Sequence, residues 1–162
     1  MTSVERVFPC PVDDVVAVLS DGWLYGLWVL GAARIRGVEE EWPARGARLH
    51  HSAGPWPLHL DDHTTVVEED LPRRLLLTAR AWPLGRARID LLLAEVDGGC
   101  RVTLAEEVVS GVGLLVPSPL RDLAFQVRNR ECLTRLEQVV MGRSGRRPAS
   151  EEDDDRPDRP SE

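Results

Sequence analysis

Lysine is missing from the sequence, and all 20 basic residues are arginine. This bias is typical of a GC-rich genome, so we give it no functional weight. Basic residues are also outnumbered, since 27 acidic residues leave a formal net charge of −7. A chain of this charge does not suit the polyanionic backbone of a nucleic acid, so we expect no nucleic-acid partner.

Cysteine is scarce, and long apolar runs are missing. Cys10, Cys100 and Cys132 are an odd number of thiols at unrelated spacings, which favours free cysteines over a disulfide framework. No apolar run approaches about 18 residues, and the N-terminal residues lack the apolar segment of a signal peptide. We therefore expect a cytoplasmic protein with no stable membrane insertion, either a monomer or a homodimer.

The common motifs of cofactor and metal sites are missing too. The Gly111–Gly113 segment lacks the further glycine and the lysine of a phosphate-binding loop, and no GxSxG nucleophile motif occurs. His50, His51, His59 and His63 lie close together, but without the HxH or HExxH spacing of a metal site. We expect no cofactor and no dedicated metal site.

The longest predicted helix covers Pro117–Met141, with Ser118 as its N-cap, Asp122 in its first turn and Gly142 as its end. A rotation of about 100° per residue places an apolar stripe along one side. That stripe comprises Phe125, Asn129, Cys132, Leu133, Leu136 and Val140. The opposite side of the first two turns carries Leu120, Leu123, Ala124 and Val127. Because these turns are apolar nearly all round, we expect them to be enclosed on several sides.

Turn residues divide the region before this helix into strand-like segments. The predicted strands are Val4–Phe8, Arg34–Trp42, Ala47–Ala53, Leu58–Asp70, Arg74–Trp82, Arg86–Val96 and Arg101–Val109. The consecutive strands after the first are joined by such short turns that they must be antiparallel. Alternation puts one set of apolar residues on a dry face and residues such as Arg80, Arg86 and Arg88 on a wet face. The dry set includes Leu75 and Leu77, Ile89, Leu91 and Leu93, and Val102 and Leu104. The predicted fold is α+β, a seven-stranded curved antiparallel sheet gripping a long C-terminal helix.

Two short helices are predicted after the first strand. Val12, Val15, Val16 and Leu19 recur at helical spacing, and Trp23–Trp28 forms a second, very apolar helix.

The composition changes after Gly142, where almost no apolar residue remains and basic residues are followed by an acidic run. We predict one domain over residues 1–142 and a disordered, solubilising charged tail over residues 143–162.

The order of strand, two short helices, six strands and long helix resembles the helix-grip fold of the START-like, Bet v 1-like (SRPBCC) superfamily. Four stretches look like its bacterial polyketide cyclase and dehydrase-like members: Phe8–Val15, Trp28–Ala32, Pro72–Leu75 and Arg128–Glu131. The resemblance covers about residues 2 to 141, and its motifs are structural. It implies a deep, mostly apolar cavity between sheet and long helix, which in some members only holds a ligand and in others reacts it.

Strand parity turns a few polar residues toward the predicted dry face. His51, Asp62 and Glu106 alternate with apolar residues, and Asn129 interrupts the stripe of the last helix. A buried polar group without a partner costs roughly 1–3 kcal/mol, so these groups satisfy one another, lie at strand ends in solvent, or serve a ligand. We take His51, Asp62 and Glu106 as the candidate catalytic acids or bases.

The same parity places His59, Asp61 and His63 on the outer face, in water. We expect no site role for these three residues.

The predicted ligand-binding residues are those expected to face the cavity from the dry face of the sheet, the long helix and the second short helix. They are Trp28, Leu49, His51, Leu60, Leu77, Ala79, Ile89, Leu91, Leu104, Leu123, Phe125, Val127 and Asn129. Trp28 is expected near the cavity mouth, and Asn129 at its polar end, where an amide can donate to and accept from a ligand.

Three functions fit this reading. The first is binding of a small apolar or amphipathic molecule, such as a lipid, a polyketide or an isoprenoid. The second is an enzyme of the cyclase or dehydratase type, in which an inward acid or base moves a proton. The third is a partner-binding module like the chaperone-activator relatives of the fold, acting through the outer face of the sheet.

Overall fold

The structure is a computed structural model that describes residues 2–53, 60–81, 85–115 and 117–145. The strands are β1 (Thr2–Phe8), β2 (Ala32–Val38), β3 (Arg48–Ala53), β4 (Leu60–Asp70), β5 (Arg74–Ala81), β6 (Gly85–Val96) and β7 (Gly99–Ser110). The α-helices are α1 (Val12–Leu19), α2 (Tyr25–Trp28) and α3 (Ser118–Ser144), with 3₁₀ helices at Gly22–Leu24 and Val112–Leu115.

All seven strands form one sheet in the order β1-β7-β6-β5-β4-β3-β2, and every neighbouring pair is antiparallel. Strands β2 to β7 pair in chain order, and few residues separate consecutive strands along the sequence. Strand β1 closes the order by pairing with β7, from Thr2 opposite Glu106 to Phe8 opposite Cys100. The predicted α+β helix-grip architecture is confirmed.

The core lies between the inner face of the sheet and the last four turns of α3. Leu75 and Leu77 of β5 and Leu91 of β6 are at most 1% exposed, as their alternation predicts. Leu133 and Leu136 of α3 are equally buried and belong to the same hydrophobic core. The predicted stripe is therefore confirmed from Asn129 to Val140.

The first turns of α3 are not enclosed, contrary to the sequence prediction. Leu120, Leu123 and Val127 are each about 60% exposed, and the preceding Leu115 is 82% exposed. The sheet and α2 contact only one side of these turns, so their second apolar side lies on the surface. Helical periodicity shows that two sides are apolar, but it does not show how many sides another element covers.

Both predicted ends of α3 are wrong. Pro117, not Ser118, occupies the N-cap position, without a side-chain capping hydrogen bond, and Asp122 is no longer in the first turn. At the other end the helix continues through Gly142 to Ser144. Two contacts with the α1 region hold this last turn: Ser144 Oγ donates to Asp14 Oδ2 at 2.8 Å, and Arg143 Nη1 lies 3.2 Å from Asp21 Oδ2. These contacts offset the low helix propensity of glycine.

Strand β2 is shorter than predicted, because it ends at Val38 instead of Trp42. Trp42 is 8% exposed and its indole Nε1–H donates to the carbonyl oxygen of Leu19 at 3.1 Å. A buried tryptophan needs such an acceptor, and the last residue of α1 supplies it.

Candidate ligand-binding site

A cavity of about 470 Å³ lies between the inner face of the sheet, the chain after α2 and the first turns of α3. Val29 and Leu30 line it after α2, Ile89 lines it from β6, and Leu120 and Phe125 line it from α3. Its volume lies within the range of about 300–1,000 Å³ that is usual for small-molecule sites. The cavity lies where the sequence predicts it, between the sheet and the start of the last helix.

Small side chains leave the space that the cavity occupies. Ala79 of β5 and Ala87 of β6 are directly opposite each other and both line the cavity, as does Ala124 of α3. Two residues further along the same ladder, Leu77 is opposite Ile89, and here the larger side chains fill the volume. The cavity thus begins where the inward residues of β5 and β6 change from branched aliphatic to alanine.

The structure places the predicted ligand-binding residues in different environments. His51, Ala79, Ile89 and Phe125 line the cavity. Leu49, Leu77, Leu91, Leu104, Trp28 and Asn129 are buried in the core, each at most 3% exposed, and are not part of the lining. Leu123 and Val127 are on the surface, and the side chain of Leu60 lies outside the described part. A role in binding stays a prediction for each of these residues.

We expected Trp28 near the cavity mouth, but it is not part of the cavity lining. The face of α2 that carries Trp28 packs into the core. Its ring is 5.3 Å from the Tyr25 ring, edge to face, and it is 3% exposed. Tyr25, three residues earlier, lines the cavity instead.

A chain of hydrogen bonds crosses the wall from α2 to β3. The Tyr25 hydroxyl lies 3.3 Å from Thr64 Oγ1, which lies 3.2 Å from His51 Nε2. The Tyr25 and His51 rings are also stacked, with centroids 6.1 Å apart. Burial raises the pKa of Tyr25 to about 12, so its hydroxyl remains protonated.

His51 presents a neutral imidazole to the cavity. Burial lowers the pKa of His51, and this effect exceeds the opposing one of nearby Asp62. Among the described residues, His51 Nδ1 has no hydrogen-bond partner. With Nε2 beside Thr64, Nδ1 is the nitrogen left for a ligand or a proton.

Asp62 is directly opposite His51 in the β3–β4 ladder, as strand parity predicts for two inward residues. It is 3% exposed, and Arg80 Nε lies 3.9 Å from its Oδ1. Asp62 is not part of the cavity lining, although its cross-strand neighbour His51 is.

The outward assignment on these strands also holds where it is described. Asp61 is exposed and His63 is half-buried, with its ring 6.3 Å from that of His50 across the strands. His59 lies outside the described residues.

Glu106 lines the cavity from β7 and is held by Arg128 of α3. Arg128 Nη1 lies 2.5 Å from Glu106 Oε2, while its Nε and Nη2 donate to the carbonyl oxygen of Leu30 at 3.1 and 2.8 Å. Burial raises the pKa of Glu106, and interactions with Arg128 and Asn129 act against this rise. The guanidinium therefore joins the sheet, the chain after α2 and the long helix at one wall of the cavity.

Sequence reasoning missed five polar residues of the wall: Tyr25, Arg80, Arg86, Arg121 and Arg128. Strand parity assigned Arg80 and Arg86 to the wet face. Arg128 begins the Arg128–Glu131 stretch that resembles the superfamily, but an arginine next to an apolar stripe is typical of a helix surface. Tyr25 is the one tyrosine of the chain and lies in the very apolar predicted helix, where the sequence pattern gives no sign of a polar role.

The described residues contain neither a cluster of metal ligands nor a membrane-spanning helix. No three histidine, cysteine, aspartate or glutamate side chains of this part lie close enough together to hold a metal ion. None of its helices is both long enough and apolar enough to cross a membrane.

Solved structures with similar folds cover most of this chain. Protein NE0264 from Nitrosomonas europaea is 18% identical with a TM-score of 0.66, over 88% of this chain and 95% of that one. Ara h 8.0201 is 15% identical with a TM-score of 0.63, over 86% and 96% of the two chains. DynU16, from the dynemicin biosynthetic locus, is 14% identical with a TM-score of 0.63, over 86% of this chain and 46% of that one. At these identities the likeness shows the fold alone.

The sequence comparisons lead to a family and not to an individual relative. None of the curated protein sequences is significantly similar to this chain. Residues 1–140, however, match the family described as polyketide cyclase / dehydrase and lipid transport. The match includes every element from β1 to nearly the end of α3, so the chain belongs to the polyketide cyclase / dehydrase and lipid transport family.

Proposed function

We propose that this protein binds a small apolar or amphipathic molecule of the lipid, polyketide or isoprenoid type between the sheet and α3. The observation that carries the proposal is the cavity of about 470 Å³ whose wall is largely aliphatic. Each Å² of apolar surface that is removed from water lowers the free energy by about 25 cal/mol, so binding in such a space is favourable for a hydrophobic molecule. The polar wall groups, His51 and the Tyr25 hydroxyl among them, orient the ligand.

The test is a titration with N-phenyl-1-naphthylamine, a neutral apolar dye whose fluorescence rises in a dry site. We expect saturable binding by the parent protein. Ala87→Phe should abolish it, because a phenylalanine at this lining position fills the cavity. Ala94→Phe is the matched control, since Ala94 lies on the same strand but is exposed and not part of the lining.

Two outcomes of the dye titration would contradict the proposal. Dye binding that survives in Ala87→Phe would place the dye elsewhere on the molecule. No saturable binding by the parent would contradict an apolar ligand site. Circular dichroism of each variant separates a filled cavity from a chain that does not fold.

The second candidate is an enzyme of the cyclase or dehydratase type. His51 supports it, because a neutral imidazole with Nδ1 unpartnered among the described residues lines an apolar cavity. Such a nitrogen can take the proton from the carbon next to a ketone while the carbon–oxygen bond of a β-hydroxyl breaks. A carbon–carbon double bond forms, and the proton leaves with the hydroxyl oxygen as water.

The corresponding assay uses 4-hydroxy-4-phenylbutan-2-one and follows the absorbance of the conjugated ketone that elimination produces. If the protein is such an enzyme, the parent should accelerate the elimination and His51→Gln should reduce the rate by about 10²-fold or more. Dye binding without any acceleration would favour the ligand-binding proposal over the enzyme.

A further inference from the structure

Four arginines line the cavity, and they differ in how their charges are compensated. Arg128 is paired with Glu106 at 2.5 Å, and Arg80 lies 3.9 Å from Asp62. Arg86 of β6 and Arg121 of α3 have no ion-pair partner within 4.0 Å among the residues that the structure describes. Two arginines with no ion-pair partner in the described part of the chain therefore belong to the lining of a largely aliphatic space.

The charge of the cavity lining is opposite to that of the whole chain. Acidic residues outnumber basic ones by 27 to 20 in the sequence. Among the described lining residues there are four arginines and one carboxylate, that of Glu106. A local excess of one sign around a cleft attracts small molecules of the opposite sign.

Strand pairing brings two positive charges together, and a bound anion would offset their repulsion. Arg80 of β5 is directly opposite Arg86 of β6, next to the hairpin end at Gly85. Like charges directly opposite each other on antiparallel strands destabilise the sheet. Parity assigns these side chains to the outer face, yet both residues belong to the cavity lining, where β5 ends and β6 begins.

We propose that the ligand is an amphipathic carboxylate, whose apolar body fills the cavity and whose carboxylate binds at Arg86 and Arg121. This inference rests on the proposed binding function and adds the chemical class of the ligand's head. Guanidinium groups present several N–H donors in a plane, which matches the two oxygens of a carboxylate. Because the two arginines border the cavity outside the buried polar groups, the head lies at the rim and the chain points toward Ile89 and Ala87.

The experiment compares dodecanoate with 1-dodecanol, two molecules with the same chain and different heads, by calorimetric titration at concentrations where both are monomeric. We expect the parent to bind dodecanoate about tenfold more tightly, a difference in the range of one charge-assisted hydrogen bond. The preference should weaken as salt is raised, since the rim is open to solvent. The Arg86→Gln/Arg121→Gln double variant should bind both molecules equally.

Arg88→Gln is the matched control, because Arg88 is an exposed arginine on the same strand and is not part of the lining. It should keep the tenfold preference. The Arg86→Lys/Arg121→Lys variant should keep part of it, because lysine retains the charge but loses the planar arrangement of donors.

The outcomes separate the two proposals. Equal affinity of the parent for the two molecules leaves the binding function standing and overturns the carboxylate inference. A preference that persists in the double glutamine variant also overturns it. If neither molecule binds to the parent, the binding function fails and the inference falls with it.

Discussion

Arg128 Nη1 and Glu106 Oε2 lie 2.5 Å apart in a pair that connects the long helix to the β7 strand. The Glu106 side chain is 5% exposed, and that of Arg128 is 30% exposed. Removing one member of such a pair leaves the other charge buried without compensation. The free-energy cost of that buried charge exceeds the net stabilisation that the intact pair provides. The pair also holds Leu30, so it fixes the wall of the cavity as well as the helix.

Arg128→Met should lower the free energy of unfolding by about 3 kcal/mol, because it leaves the Glu106 carboxylate buried and unpaired. Urea denaturation measures the change. Arg135→Met on the same helix is the control, since Arg135 pairs with Glu131 at the surface and should contribute less than about 1 kcal/mol. Equal effects of the two substitutions would show that the Glu106–Arg128 pair is no more important than a surface pair.

Leu136→Ala should cost roughly 2–5 kcal/mol, through lost hydrophobic transfer and the cavity left behind. Leu136 is 0% exposed and lies in the middle of the α3 stripe, whereas Leu123 on the same helix is 59% exposed. Leu123→Ala should therefore stay within about 0.5 kcal/mol of the parent. Comparable losses in the two variants, measured by thermal unfolding, would contradict the orientation of the helix.

Two truncations should differ, because the last turn of α3 contacts the α1 region. Ending the chain after Gly145 removes only residues beyond the described part and should change Tm by less than about 2 °C. Ending it after Gly142 also removes the Ser144–Asp14 hydrogen bond and the Arg143–Asp21 ion pair. That loss should cost about 1 kcal/mol, or roughly 2–4 °C in Tm. A large drop for the first truncation would show that the charged tail docks on the domain.

Stability should fall in mild acid partly through His51. Burial lowers its pKa in the folded protein, so below the ordinary value of about 6.5 the unfolded chain binds protons before the folded one does. The stability from this residue is therefore present above about pH 6.5 and is lost as the pH falls toward the folded pKa. Urea denaturation at pH 7.5 and pH 5.0 should show a smaller decrease for His51→Gln than for the parent. An equal or larger decrease in the variant would contradict the buried, neutral imidazole.

Local patterns in the sequence were sufficient for the framework of this protein. Alternation in β5 and β6 placed Leu77 and Leu91 inside, and the helical period placed Leu133 and Leu136 on one buried stripe, as the burial of these residues confirms. Short turns required antiparallel pairing of consecutive strands. These properties follow from backbone geometry, whose periods of 2 and 3.6 residues act within one element.

The wall of the cavity depended on which elements meet, and the sequence alone did not determine that. Ala79 and Leu77 share a face, but only the position of α3 along the sheet makes one a cavity residue and the other a core residue. In the same way, Val127 is exposed although its helix turn is apolar. Arg128 pairs with Glu106, a residue 22 positions away on another element. A periodic pattern specifies the direction in which a side chain leaves the axis of its helix or strand. Burial, ion pairing and an empty volume arise only from the packing of separate elements.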